Sequence, residues 1–265
     1  MMGSTSSLEI LSRKETAMAK NPFVIMLLLL SLFCQGSVQS PSAKGVMVLL
    51  DLSESTRIPQ MREAYTRAFG EILAKLAPGD RLVVGLITEK SVAELNLLIK
   101  EDFTKEKNSL YGLLKKMVEE DAAAEFNKKK DGLLKKVEAV LADQNRKIMK
   151  TDLMSSFQVA DRVLKGCGQP KKILIILSDM LEDSDAYNFE TEILSDERVS
   201  HILANEKKRG RIPDLTGVYV YVAGAAASNL DQYYSVMKFW LAYFKESGAI
   251  IQKKDYGSVL LSLHE

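Results

Sequence analysis

The stretch Val46-Met47-Val48-Leu49-Leu50-Asp51-Leu52-Ser53-Glu54-Ser55 decides the fold. Five apolar residues in an unbroken run end in a carboxylate, and hydroxyls follow at alternate positions. An apolar run without alternation, bounded by Gly45 and by polar residues, predicts a strand buried on both faces, as in a parallel sheet covered by helices. Asp51 then stands at the carboxyl end of that strand. Open α/β sheets bind ligands at that end, near the point where strand order reverses. Asp51, Ser53 and Ser55 can converge hard oxygen atoms on one point, a donor set suited to Mg2+ or Mn2+ and not to a soft metal. Ser53 and Ser55 are equally the kind of residue that caps a following helix, so the pair alone fits both roles.

Outward from this strand, Thr56 to Leu76 predicts a helix, with Ala64, Ala68, Ile72 and Leu76 on one face and Pro59 in its first turn. Ala77 to Asp80 turns the chain, and Arg81 to Thr88 predicts a second strand rich in β-branched residues. Val92 to Ile99 alternates weakly and follows closely, which predicts a hairpin and an antiparallel strand at the sheet edge. From about residue 101 to 150 the chain is charged and helical in pattern. Leu110, Leu113, Leu114 and Met117 form one apolar stripe there, and Leu133, Val137, Val140 and Leu141 another, both expected as packing faces. The next helix opens at Lys150 to Asp152, with Thr151 as the expected N-cap, Leu153, Phe157, Ala160 and Leu164 as its apolar face and Gly166 at its end. Lys172 to Asp179 is a second buried strand ending in a carboxylate, and an acidic loop, expected to be solvated, carries Glu182, Asp183 and Asp185.

A helix is then expected from about Glu190 to Glu206 and a strand from Gly217 to Ala223. A helix over Asn229 to Lys245 follows, with Tyr233, Val236, Met237, Trp240, Leu241 and Phe244 as its core face, and Ala249 to Gln252 closes as a short strand. Strands alternating with helices predict one α/β domain with a mostly parallel central sheet.

Three stretches now point to one place: the Asp51-x-Ser53-x-Ser55 loop, the turn at Thr151 and Asp152, and Asp179 at the end of its strand. Together they resemble the von Willebrand factor A (vWA) domain and its metal-ion-dependent adhesion site, in its exported bacterial form. The resemblance covers roughly Lys44 to the C-terminus. It implies a three-layer Rossmann-like fold with one antiparallel edge strand, here carrying a helical insertion at about 101–150. It also implies Asp51, Ser53, Ser55, Thr151 and Asp179 as ligands of Mg2+ or Mn2+, and a protein partner that presents an acidic side chain to the metal. This chain departs from the family pattern at Glu54 and Met180, where many members have Gly. Asp152 is either a ligand in place of Thr151 or an acid in the first turn of its helix.

Composition narrows the function classes. With 265 residues, 46% hydrophobic and 27% charged, the chain is neither collagenous nor wholly disordered. A net charge of +1 gives no overall basic bias, so no nucleic-acid partner is expected. The two cysteines, Cys34 and Cys167, do not make a disulfide scaffold. Pro22 to Cys34 is an apolar run that falls short of the roughly 20 residues needed to span a bilayer and matches a signal-peptide core. Residues 1–36 are therefore expected to be a signal peptide or membrane leader, with Met18 as an alternative start, followed by a linker at 37–44 and the vWA-like domain at 45–265. Export to the periplasm or beyond is expected, with a membrane tether if the leader is uncleaved or Cys34 is lipidated. Neither a catalytic triad nor a phosphate loop is evident, so a binding module is expected; a metal-dependent phosphoester hydrolase and a metal-free scaffold of the same fold are the alternatives.

Overall fold

The computed structural model describes residues 43–89, 96–103, 115–143, 145 and 148–260. The expected leader, the linker up to residue 42 and the stripe at Leu110 to Leu114 lie outside the described residues. Within them, six strands form one sheet: β1 (Lys44–Asp51), β2 (Arg81–Ile87), β3 (Leu97–Asp102), β4 (Lys171–Leu177), β5 (Val218–Ala223) and β6 (Tyr256–Gly257). Their order is β3-β2-β1-β4-β5-β6, and every pairing is parallel except that of the edge strand β3 with β2. The chain leaves β1 towards β2 and returns to its other side at β4, so strand order reverses between β1 and β4. That crevice is where an open α/β sheet has room for a ligand.

Alternate residues of each strand feed two cores. Met47, Leu49, Leu174, Ile176, Val220 and Val222 pack beneath α3 (Leu153–Lys165), α4 (Asp196–Lys208) and α5 (Leu230–Glu246). Val46, Val48, Leu50, Ile173, Ile175 and Tyr221 pack beneath α1 (Pro59–Ala74) and α2 (Lys115–Ala142). A strand covered on both faces needs apolar residues at every position, which explains the unbroken runs in β1 and β4. The result is a three-layer, mostly parallel α/β fold. Among the described residues no helix is long and apolar enough to cross a membrane.

The second stripe of the expected insertion is a packing face, with Leu133, Val137 and Leu141 buried on α2. Phe126 of α2 meets Phe103 edge-on at 5.2 Å, and Lys130 lies over the Phe126 ring while donating to the Leu76 carbonyl.

Several expectations are corrected. A single 3-10 turn over Glu54–Thr56 precedes α1, which starts at Pro59 and not at Thr56. The edge strand is described from Leu97 to Asp102, while residues 92–95 of the expected strand lie outside the described residues, and α4 starts at Asp196, after an irregular stretch that begins with the acidic loop. The N-cap of α3 is Asp152, whose carboxylate accepts the Ser155 N–H at 3.1 Å, and not Thr151, which forms a bridge with Asp183. On α5, Phe239 and Tyr243 are fully buried, whereas Tyr233 and Leu241 are partly exposed. Ala249 to Gln252 contributes only a bridge from Ile250 to Tyr219, and the last strand is Tyr256–Gly257.

Candidate metal centre

Asp51 closes β1 and is completely buried. Its Oδ1 accepts the Ser53 N–H at 2.9 Å, a short-range bond that curls the loop and sets the Ser53 hydroxyl 3.1 Å from that of Ser55. Thr56 tightens the curl by donating to the carbonyls of Asp51 and Ser53. Ser53 is buried and Ser55 exposed, so the cluster opens to solvent on the Ser55 side. In the parallel register Leu50 stands opposite Leu177, which brings Ser178 beside Asp51; the Ser178 hydroxyl donates to Asp51 Oδ2 at 2.7 Å. Asp179 follows, buried, with its Oδ1 accepting the Leu181 N–H at 3.1 Å and its carboxylate hydrogen-bonded by the Ser55 hydroxyl.

Thr151 arrives from a distant part of the chain. Its N–H and carbonyl exchange hydrogen bonds with Asp183 at 2.8 and 3.0 Å, tying it to the segment that follows Asp179. The Ile148 carbonyl accepts the Glu54 N–H at 3.2 Å, tying the same approach segment to the serine loop. Thr151 is buried at this junction. The structure thus gathers Asp51, Ser53, Ser55 and Asp179, and holds the Thr151 backbone against the segment that follows Asp179, while Ile148 joins the approach to Thr151 to the serine loop. The carboxylate of Asp152 is engaged as a helix cap.

Burial disfavours the charge of both carboxylates. Burial pushes Asp179 up to about 7, the charge of Asp51 adds to the rise, and the Ser55 hydroxyl and Leu181 N–H oppose it. Asp51 is raised by burial against the hydrogen bonds from Ser178 and Ser53. Burial, and then the charges of Asp51 and Asp179, raise Tyr65 well above the usual phenol value. The Tyr65 hydroxyl is buried and has no hydrogen-bond partner among the described residues. Two crowded carboxylates, adjacent hydroxyls and an orphaned phenol together suit a hard dication with attached water. Among the described residues no three His, Cys, Asp or Glu side chains converge, so a cation here would draw on hydroxyl oxygens as well.

Neither Ser178 nor Tyr65 is placed at the site by the sequence. Ser178 was accessible from the register of two parallel strands, whereas the orphaned Tyr65 hydroxyl has no sequence signal of its own. Glu182 corrects the expected solvated loop: it is buried, and its Oε2 accepts the N–H groups of Leu153 and Met154 at 2.9 and 3.2 Å. It thereby satisfies two donors at the start of α3 that a helix leaves open. Glu54, one of the departures from the family pattern, points outward and pairs with Arg57 at 3.2 Å.

No family model matches this chain, and no curated protein matches it. Solved structures do. VWA2, the ArnB paralog from Sulfolobus acidocaldarius, is 11% identical with a TM-score of 0.43, over 81% of this chain and 43% of that one. The PilB minor pilin from Streptococcus sanguinis is 9% identical with a TM-score of 0.43, over 83% of this chain and 60% of that one. Proximal thread matrix protein 1 from the mussel byssus, with a zinc-occupied MIDAS motif, is 11% identical with a TM-score of 0.38, over 74% of this chain and 39% of that one. In each case the match spans less than two thirds of the other protein. The fold assignment rests on this chain's own strand order and layers.

Proposed function

We propose that this chain is an exported protein-binding module whose contact point is a divalent cation, Mg2+ or Mn2+, held by Asp51, Ser53, Ser55, Thr151 and Asp179. The observation that supports it is the pair of buried carboxylates, Asp51 and Asp179, beside the Ser53 hydroxyl and the solvent-exposed Ser55. When bound, the cation supplies an electrophilic position that a carboxylate from a partner can fill. Ser53 and Ser178 fix the Asp51 carboxylate through hydrogen bonds, and Ser55 orients Asp179. The hydroxyls of Ser53, Ser55 and Thr151 are neutral donors, so they add coordination without cancelling positive charge. Binding is assigned rather than turnover, since capture of a carboxylate needs no general base.

Calorimetric titration of the full chain with Mg2+ and with Mn2+ tests the reading. Wild type is expected to give saturable heat that Asp51→Asn abolishes. Absence of heat in wild type refutes the metal site and leaves the fold as a metal-free scaffold.

A further inference from the structure

The residue after Asp179 holds a backbone conformation that side-chain-bearing residues avoid. Met180 has φ of 68°, the one non-glycine residue with positive φ among the described residues, and its side chain is fully buried. Such a conformation persists only where the surroundings enforce it. Two hydrogen bonds do so. The Met180 N–H donates to Ser178 Oγ at 2.9 Å, and the Met180 carbonyl accepts the indole N–H of Trp240 at 2.8 Å. Trp240 is itself immobilised, with Phe157 edge-on at 5.4 Å and Phe239 at 4.9 Å. Its donor therefore points in one direction.

We propose that Trp240 is a positioning residue for the metal site. By pinning the Met180 carbonyl it maintains the left-handed turn that brings the Leu181 N–H onto Asp179 Oδ1 and aims that carboxylate towards Asp51 and the serine loop. Without the pin, Met180 relaxes to an ordinary φ, and the peptide groups on either side of it rotate. Asp179 then loses its Leu181 hydrogen bond and its aim. The inference rests on the metal reading above and extends it to a helix that contributes no ligand.

Trp240→Phe removes the N–H while keeping an aromatic ring in the cluster. Titration of the full chain with Mn2+ is expected to show affinity reduced about tenfold by Trp240→Phe, the equivalent of one hydrogen bond or of the released strain. In a Met180→Gly background the same change is expected to matter less than about twofold, because glycine adopts this φ unaided. Equal losses in both backgrounds, or no loss in either, overturn the proposal and leave Trp240 a packing residue.

A second readout needs no metal. Exchange of the Leu181 amide with solvent, followed by NMR, is expected to be slow in wild type and fast in Trp240→Phe; unchanged exchange overturns the pinning. A wild type that takes up no Mn2+ while the exchange difference holds refutes the metal reading alone. As Trp240 is the sole tryptophan of the chain, its indole signal identifies itself, and Mg2+ is expected to shift it.

Discussion

Burial pushes the Glu182 carboxyl from 4.5 up to about 8, the charge of Asp152 adds to the rise, and the Ser184 hydroxyl and the N–H groups of Met154 and Leu153 oppose it without winning. The unfolded chain releases this proton near 4.5, whereas the folded chain keeps it until about 8. Across that window the unfolded state binds fewer protons, so stability falls as pH rises. The contribution is fully present below the unfolded value and lost above about 8. At about 1.36 kcal/mol per pH unit the window amounts to about 5 kcal/mol.

Glu182→Gln keeps an acceptor oxygen for the two N–H groups and cannot ionise. Urea unfolding of wild type and variant, both in EDTA, is to be compared at pH 5 and pH 9. Asp51 and Asp179 titrate in both proteins and cancel in the difference. The variant is expected to gain several kcal/mol over wild type between the lower and the higher pH. A stability difference that stays constant with pH would refute the argument that the buried acid folds in its protonated form.

Two further outcomes are expected. Gly224 has φ of 100°, and a Cβ there would lie 2.5 Å from Tyr65 Cε1 and 3.0 Å from the Ser178 carbonyl. Gly224→Ala is therefore expected to lose about 3 kcal/mol in urea unfolding and to weaken metal binding by displacing Tyr65 and Ser178; a neutral result contradicts the close approach. Because Asp179 stays protonated until about 7, protons compete with a cation below that value. Mn2+ affinity is expected to rise steeply from pH 5.5 to 7 and level off above, and a flat calorimetric profile contradicts the role of Asp179.

The parallel core of the sheet was legible because burial on both faces leaves an unbroken apolar run, as in β1, β4 and β5. The sheet margins were not. Strand β3 is partly exposed and charged, and β6 is two residues long, too short to carry a pattern. Ala249 to Gln252 looked like a strand but makes only one bridge. At the candidate site, the loop from Asp51 to Ser55 and the approach of Asp179 follow from strand ends and register, both readable in advance.

Glu182 was misread because its local context, Met180 to Asp185, is acidic. Its burial depends on the start of α3 arriving from about thirty residues upstream to supply donors, a long-range fact that no local window contains. At Met180 the resemblance gave a hint, since many family members have Gly there, but the Trp240 indole that holds the Met180 carbonyl lies on a helix sixty residues away, outside any local window.

The most direct measurement is anomalous diffraction at the manganese edge from crystals of the full chain grown with Mn2+. One peak is expected among the oxygens of Ser53, Ser55 and Thr151, with Asp51 and Asp179 around it. A map without that peak, or one placing the Thr151 hydroxyl out of coordinating reach of Ser53, contradicts a cation held by these five residues.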